Sequence, residues 1–469
     1  MGKEQPWFWD NNDFSESVQR FEEMLRNKKS YFFEVHEFED IIDFYLDSEN
    51  YAQASQAAEY ASGMYPHATS IQVRIAEILI DKGKPLESLR MLNTLEKLES
   101  EEYQIPLLKG SALVMLGKSR EAIRQFEKAV SMANEDQGDV LYNIGVAFER
   151  VNQYKRALSY FQKALLLEPD NFHLFYDLGY CYERVNDLDN SIRHYEKYLD
   201  FDPFSEYVWY NLGIVYNRKE VQEKALEAYE YALAINPEYA SAHFNLANTL
   251  ALLERLPEAI AAYGEVLRTE PENTLALCYT GECYEKSGQS ELALEYYDKA
   301  LRVDPQCGEA WQGKGVVLCE RLDFTQGIAC LKKALETDPE NSDYGYGLAT
   351  AYANSGDFVR SLSTLEQLTS ANVHDIEAWL RRSEVYFKMG EPSGALSALR
   401  EACMNNPANA LLLYRVAAIH LICGDQESGL PSLERAVELD PTLLKDMFQF
   451  YPEATYIPEL MHWIERYSR

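Results

Sequence analysis

The sequence predicts an all-α fold, an α-solenoid of about twelve helical hairpins placed one after another. Three recurring columns predict it. Pro169, Pro203, Pro237, Pro271, Pro305 and Pro339 stand 34 residues apart, and Pro407 and Pro441 resume the beat after Val373 takes one slot. In the same register a small residue recurs at Gly145, Gly179, Gly213, Ala247, Gly281, Gly315, Ala349, Ser383 and Ala417, as two closely crossing helices require. A second small column, Ala157, Ser191, Ala225, Ala259 and Ala293, is followed four residues later by Phe161, Tyr195, Tyr229, Tyr263 and Tyr297. Spacings of three, four and seven place these residues on helix faces.

Residues 206–239 carry Trp209, Leu212, Gly213, Tyr216, Ala225, Tyr229, Ala232 and Pro237. This order resembles the tetratricopeptide repeat, W-x2-L-G-x2-Y, then A-x3-F, then P. The resemblance implies helix-turn-helix units forming a right-handed superhelix. Units are read from 35, 69, 103, 138, 172, 206, 240, 274, 308, 342, 376 and 410. Residues 1–34 form an aromatic segment, Trp7, Phe8 and Trp9, and a capping helix with Phe14, Val18, Phe21 and Leu25 on one face. Residues 35–137 hold three degenerate units, in which Gly83 and Gly117 mark the interhelix turns. A one-residue slip between Asn134 and Gly138 precedes the regular units of 138–443, and residues 444–469 supply apolar capping helices with Met447, Phe448 and Ile457.

A net charge of −32 and a pI near 4.7 disfavour nucleic acid as a partner, since binding a polyanion needs clustered cations that release its counterions. No run approaches the ~18 apolar residues of a membrane span, and the N-terminus has neither the basic nor the apolar region of a signal peptide. Pro6 stands where a myristoylation signal after Gly2 needs Ser or Thr. A cytoplasmic protein without membrane attachment is therefore expected. The eight cysteines form no CxxC pair and fall at small core positions, which fits a reducing compartment.

Catalytic signatures are missing from the sequence. The eight histidines form no HExxH or other metal-ligand spacing, and neither a phosphate-binding loop nor a G-x-S-x-G elbow occurs. Gly313 and Gly315 fall inside a predicted helix rather than in a dinucleotide-binding turn. No enzyme activity, no cofactor and no metal are expected. The function read from the sequence is a scaffold or adaptor that binds a protein or peptide partner.

Positions 4, 7, 8 and 11 of each first helix form the core stripe, so positions 2, 5, 9, 12 and 13 lie opposite. In the family resembled, that second stripe lines the concave groove. Three ladders occupy it and its border here. The aromatic ladder is Tyr142, Tyr176, Tyr210 and Phe244 at position 5, Tyr180 at position 9, and Tyr207 with His173 at position 2. These rings offer contact area at small entropic cost, or else pack between neighbouring helices. The polar ladder is Asn143, Asp177, Asn211 and Asn245 at position 6, where amides pair with an extended backbone or else support the local structure. The basic ladder is Arg150, Arg184 and Arg218 at position 13, with Leu252 breaking the series and Lys286 resuming it, suited to a partner's carboxylates or to pairing with Glu149 and Glu183 or acidic loops. The Lys and Asn clamp by which some family members grip carboxylate termini is not reproduced, and Asn248 alone matches one element of it. Units 308 and 342 present the smaller surface of Gln312, Gly313, Val316, Cys319, Tyr346, Gly347 and Thr350. A homo-oligomer or larger assembly built through the ends, or the regulatory subunit of an enzyme, is the alternative.

Overall fold

The computed structural model describes residues 13–27, 31–48, 50–99 and 102–444. Among them every regular element is helical. The chain divides into two compact units, residues 1–237 and 238–469. Trp7, Phe8 and Trp9 lie outside the described residues, as does the capping segment from residue 445 onward.

In the first unit, helix α1 (Asp13–Asn27) precedes the hairpins α2 (Val35–Asp47) with α3 (Tyr51–Met64) and α4 (Thr69–Asp81) with α5 (Pro85–Leu95). Then come α6 (Gln104–Met115) with α7 (Ser119–Met132), and α8 (Gln137–Glu149) with α9 (Tyr154–Leu167). The unit ends with α10 (His173–Arg184) and α11 (Leu188–Phe201), then α12 (Glu206–Arg218) and α13 (Gln222–Ile235). The frame slip is a short 3-10 turn, Asn134–Asp136, inserted before α8.

The second unit repeats the plan. Its hairpins are α14 (Ala240–Leu252) with α15 (Leu256–Thr269), α16 (Thr274–Lys286) with α17 (Ser290–Val303), and α18 (Gly308–Glu320) with α19 (Phe324–Thr337). They continue with α20 (Ser342–Asn354) and α21 (Phe358–Ala371), α22 (Ile376–Lys388) and α23 (Pro392–Asn405), and α24 (Ala410–Ile422) and α25 (Gln426–Leu439).

The repeated columns work as pairs of surfaces. A Cβ added at Gly145 would lie 2.4 Å from Cε1 of Phe161, and one at Gly213 2.5 Å from Cε1 of Tyr229, so each glycine is the seat of the ring sixteen residues later. Where the second small column holds serine, Ser191 Oγ donates to the carbonyl of Gly179 at 2.7 Å and Ser361 Oγ to that of Ala349 at 2.8 Å, which satisfies a hydroxyl buried in the helix crossing. The proline slot also ties unit to unit. Trp311 Nε1 donates to the carbonyl of Pro305 at 2.9 Å, and Trp379 Nε1 to that of Val373 at 3.0 Å. A backbone carbonyl serves as well from valine as from proline, which is why the beat survives the substitution.

The turn between the helices of a hairpin places its second or third residue in the left-handed region. Gly288 and Gly356 take it with φ of 75° and 86°, whereas Glu220 and Leu322 hold it as non-glycine residues at 61° and 66°. Ahead of the first hairpin, α1 buries Val18 and Phe21, and the Phe21 ring meets Phe33, Phe38 and Tyr45 at centroid distances of 6.1, 6.3 and 6.4 Å. No described helix is long and apolar enough to cross a membrane.

Candidate functional site

The core stripe of α8 is Leu141, Ile144, Gly145 and Phe148, all buried. This burial turns Tyr142, Asn143 and Arg150 toward other surroundings, and the same holds for their equivalents on α10 and α12. The position-5 rings are half-buried. Each leans on an aromatic of its own hairpin: Tyr142 on Phe161 at 5.6 Å, Tyr176 on Tyr195 at 6.0 Å, and Tyr210 on Tyr229 at 6.1 Å. In the second unit Phe244 meets Tyr263 and Tyr279, both at 5.8 Å. One face of each ring is thereby used in packing.

The phenol groups join the position-5 and position-6 ladders across units. Tyr176 Oη accepts a 3.3 Å hydrogen bond from Nδ2 of Asn211. One unit earlier, Tyr142 is hydrogen-bonded to Asp177, whose side chain is buried. Burial first, and then the Asp177 carboxylate, push the Tyr142 phenol well above its ordinary pKa, and burial pushes Tyr176 up to about 12. Both phenols are therefore neutral donors or acceptors at neutral pH. Asn143 behaves differently: it is exposed and donates to the carbonyl of Asp139 on its own helix at 3.0 Å. Asn245 is half-buried on α14 in the second unit.

The three arginines are exposed but engaged. Arg218 donates to Glu183 Oε1 at 3.0 Å, to the Glu183 carbonyl at 3.2 Å and to Asn186 Oδ1 at 2.9 Å. Glu183 is buried, which raises its carboxyl pKa against the lowering influence of Arg218. Arg150 reaches Asp81 at the end of α4, 2.5 Å away and 69 residues earlier. Arg184 instead lies over the ring of Tyr154, 5.4 Å from its centroid. Tyr180 meets the same Tyr154 ring edge-on at 6.1 Å, so Tyr154, Tyr180 and Arg184 form one aromatic and cationic cluster. Tyr207 is half-buried at the start of α12.

Sequence reasoning missed two features. The first is an acidic group around Glu77 on α4, faced by Asp81 and Arg74 of the same helix, Asp43 of α2 and Arg150. Burial, then Asp81 and Asp43, raise the Glu77 carboxyl to about 7, while Arg74, itself 2.6 Å from Asp43, opposes the shift. Its carboxylates lie in the degenerate units, where no column marks them. The second is a cleft of about 750 Å³ in the second unit, between α14, α15 and α16. Asn248, Leu252, Tyr263, Tyr279, Glu282 and Lys286 are among its lining. Tyr263 donates to Asn248 Oδ1 at 2.5 Å, Lys286 pairs with Glu282 at 2.7 Å, and Leu252 is 74% exposed. Leu252 and Lys286 occupy position 13, and the change of side-chain type there was the available signal.

The small surface of units 308 and 342 is partly filled from within the chain. A Cβ at Gly313 would lie 2.2 Å from Cζ of Tyr297, so a ring from the middle of α17 in the preceding hairpin occupies the space that glycine leaves. Tyr346 Oη donates to the Asp375 carboxylate at 2.6 Å, and the guanidinium of Arg381 covers its ring at 5.1 Å. Among the described residues no group of three His, Cys, Asp or Glu side chains is placed to hold a metal ion.

Hairpins of this length, glycine-seated aromatics and a proline or equivalent carbonyl at each junction define a tetratricopeptide array. Comparison with protein families agrees: the tetratricopeptide repeat matches over residues 138–171, 172–205, 223–274, 274–307 and 321–383. The chain is a tetratricopeptide repeat protein. Repeats of this kind serve in general as frames that bind other proteins. No curated protein sequence matches the chain significantly. Among solved structures, a tetratricopeptide repeat protein from Parabacteroides merdae is 17% identical and covers 57% of this chain and 98% of its own, with a TM-score of 0.45. MamA is 23% identical over 37% of this chain and 94% of its own, at a TM-score of 0.34. The APC/C hetero-tetramer Cut9–Hcn1 is 13% identical over 91% of this chain and 99% of its own, at 0.38.

Proposed function

We propose that the protein is a non-enzymatic scaffold that holds an extended, carboxylate-bearing segment of a partner protein against the first helices of units 138, 172 and 206. The observation that carries this reading is the cluster of Tyr154, Tyr180 and Arg184. Arg150 and Arg218 are bound to Asp81 and Glu183, whereas Arg184 lies on an aromatic ring that orients its planar guanidinium. A guanidinium held in this way loses little freedom when it takes a carboxylate in a forked pair. Tyr142, Asn143, Tyr176, Tyr207, Tyr210 and Asn211 flank the cluster along the same helices and supply ring edges and amide groups for the partner's backbone, while the buried Asp177 holds Tyr142 in place. Arg150 and Arg218 tie their helices to Asp81 and Glu183 of earlier units. Phe244 and Asn245 on α14 give the second unit its own share of such residues.

The test is peptide selection on the immobilised full-length chain, followed by affinity measurement with the double variant Tyr180→Ala, Arg184→Glu. Selected peptides rich in Asp and Glu, weakened at least tenfold by a variant that keeps its helical spectrum, support the reading. Equal binding by a folded variant removes the cluster from the site.

A further inference from the structure

Within the second unit, Cys278 lies on α16 one turn after its start, and Cys307 is the residue before the first of α18. Their sulfurs are 3.3 Å apart, and both side chains are buried in the same apolar cluster with Leu277, Ala293 and Tyr297. A thiol hydrogen bond joins the two sulfurs. The Cys307 thiol is hydrogen-bonded to Cys278 and also donates to Oε2 of Glu309 at 3.6 Å. Glu309 is exposed, and the chain from Arg302 to Gln306 leading into Cys307 is exposed as well. Cys307 therefore sits just beneath the surface, within reach of a small solute, with Cys278 behind it.

We propose that Cys278 and Cys307 are an oxidation site that a small peroxide converts to a disulfide. The Cys307 thiol is held below its ordinary pKa chiefly by the hydrogen bond from Cys278, with the backbone N–H of Ala310 adding to it, against the opposing influence of burial and of the Glu309 carboxylate. The thiolate is the reactive form. Its sulfur attacks one peroxide oxygen, the O–O bond breaks, and the departing hydroxide takes up a proton to leave as water. The product at Cys307 is a sulfenic acid. Cys278 sulfur then displaces the sulfenic oxygen, the S–S bond forms, and the proton of Cys278 leaves with that oxygen as a second water. Two thiols have lost two electrons and one peroxide has gained them. Closing 3.3 Å to the roughly 2.05 Å of a disulfide needs a small side-chain movement.

The bond would tie α16 to the start of α18. Tyr279, Glu282 and Lys286, which line the cleft, stand on α16, so oxidation fixes one wall of that cleft to the next hairpin.

The test treats the full-length reduced protein with hydrogen peroxide, blocks remaining thiols by alkylation, and maps cross-linked peptides by mass spectrometry without reduction. The expected result is a Cys278–Cys307 cross-link in most molecules, reversed by dithiothreitol, and absent in Cys307→Ser, where Cys278 stays alkylatable. Recovery of both cysteines as alkylated thiols, or of Cys307 as sulfinic acid with Cys278 unlinked, overturns the proposal. So does equal oxidation of Cys278 in a Cys307→Ser variant.

Discussion

Nδ2 of Asn211 on α12 donates to the phenol oxygen of Tyr176 on α10, 3.3 Å away and 35 residues earlier. The bond joins position 5 of one unit to position 6 of the next, and Tyr142 with Asp177 repeats it one unit earlier. A side-chain hydrogen bond of this kind is worth about 0.5–1.5 kcal/mol net. In a double-mutant cycle of Tyr176→Phe and Asn211→Ala, urea unfolding should give a coupling energy of about 0.5–1 kcal/mol. A coupling within a few tenths of zero would mean that the two groups do not depend on each other.

Glu183 and Arg218 make the second link between those hairpins. Arg218→Ala leaves a buried carboxylate without its cation, a loss of roughly 1–3 kcal/mol. Adding Glu183→Gln should recover part of that loss, because an amide needs no counter-charge. Thermal unfolding of the single and double variants checks both steps, and an unrescued double variant would locate the damage elsewhere.

Glu77 gives the first unit a pH dependence with a definite sign. Its folded pKa of about 7 lies above the ordinary value of 4.5, so the folded state holds the proton more tightly than the unfolded chain. The stability it contributes is complete below about pH 4.5 and is lost as pH rises through about 7, by at most ~3 kcal/mol. Glu77→Gln should flatten this slope in melting curves collected from pH 5 to 8 and be the more stable protein at pH 8. A wild-type slope unchanged by the substitution would assign the effect to other groups.

Glycine positions separate packing from backbone freedom. Gly213→Ala drives a methyl into Tyr229 and should cost about 1–3 kcal/mol. Gly264→Ala, on α15 with open space around it, should stabilise by about 0.5–1 kcal/mol. At Leu322, exposed and held at φ 66°, glycine relieves a left-handed backbone and should also raise the melting temperature. The same sign for Gly213→Ala and Gly264→Ala would contradict the packing role assigned to the Gly213 column.

Much of this was legible because it repeats. The Gly213–Tyr229 seat recurs in unit after unit, so spacing alone marks which residue meets which. Helix pairs, their turns at Gly83 and Gly117, and the frame slip before Gly138 follow from the same register. Contacts between units were harder to read. Tyr176 with Asn211 crosses two columns that look independent in one dimension, and Arg150 with Asp81 skips an entire hairpin. For Arg218, Glu183 was among the expected acidic partners, but proximity in sequence could not choose between it and a partner's carboxylate. Gly313 shows the limit most clearly: a gap in the side-chain pattern reads as open surface until Tyr297 is found in it.

In the proposed function a partner segment with carboxylate groups docks at Tyr180 and Arg184. Isothermal titration of a selected acidic peptide into wild-type protein and into Arg184→Ala tests it most directly, at low salt and at ~150 mM salt. The expected result is saturable one-site binding, weakened by salt and weakened at least tenfold by the substitution. Binding of equal strength to both proteins, with the variant's helical spectrum intact, would contradict it.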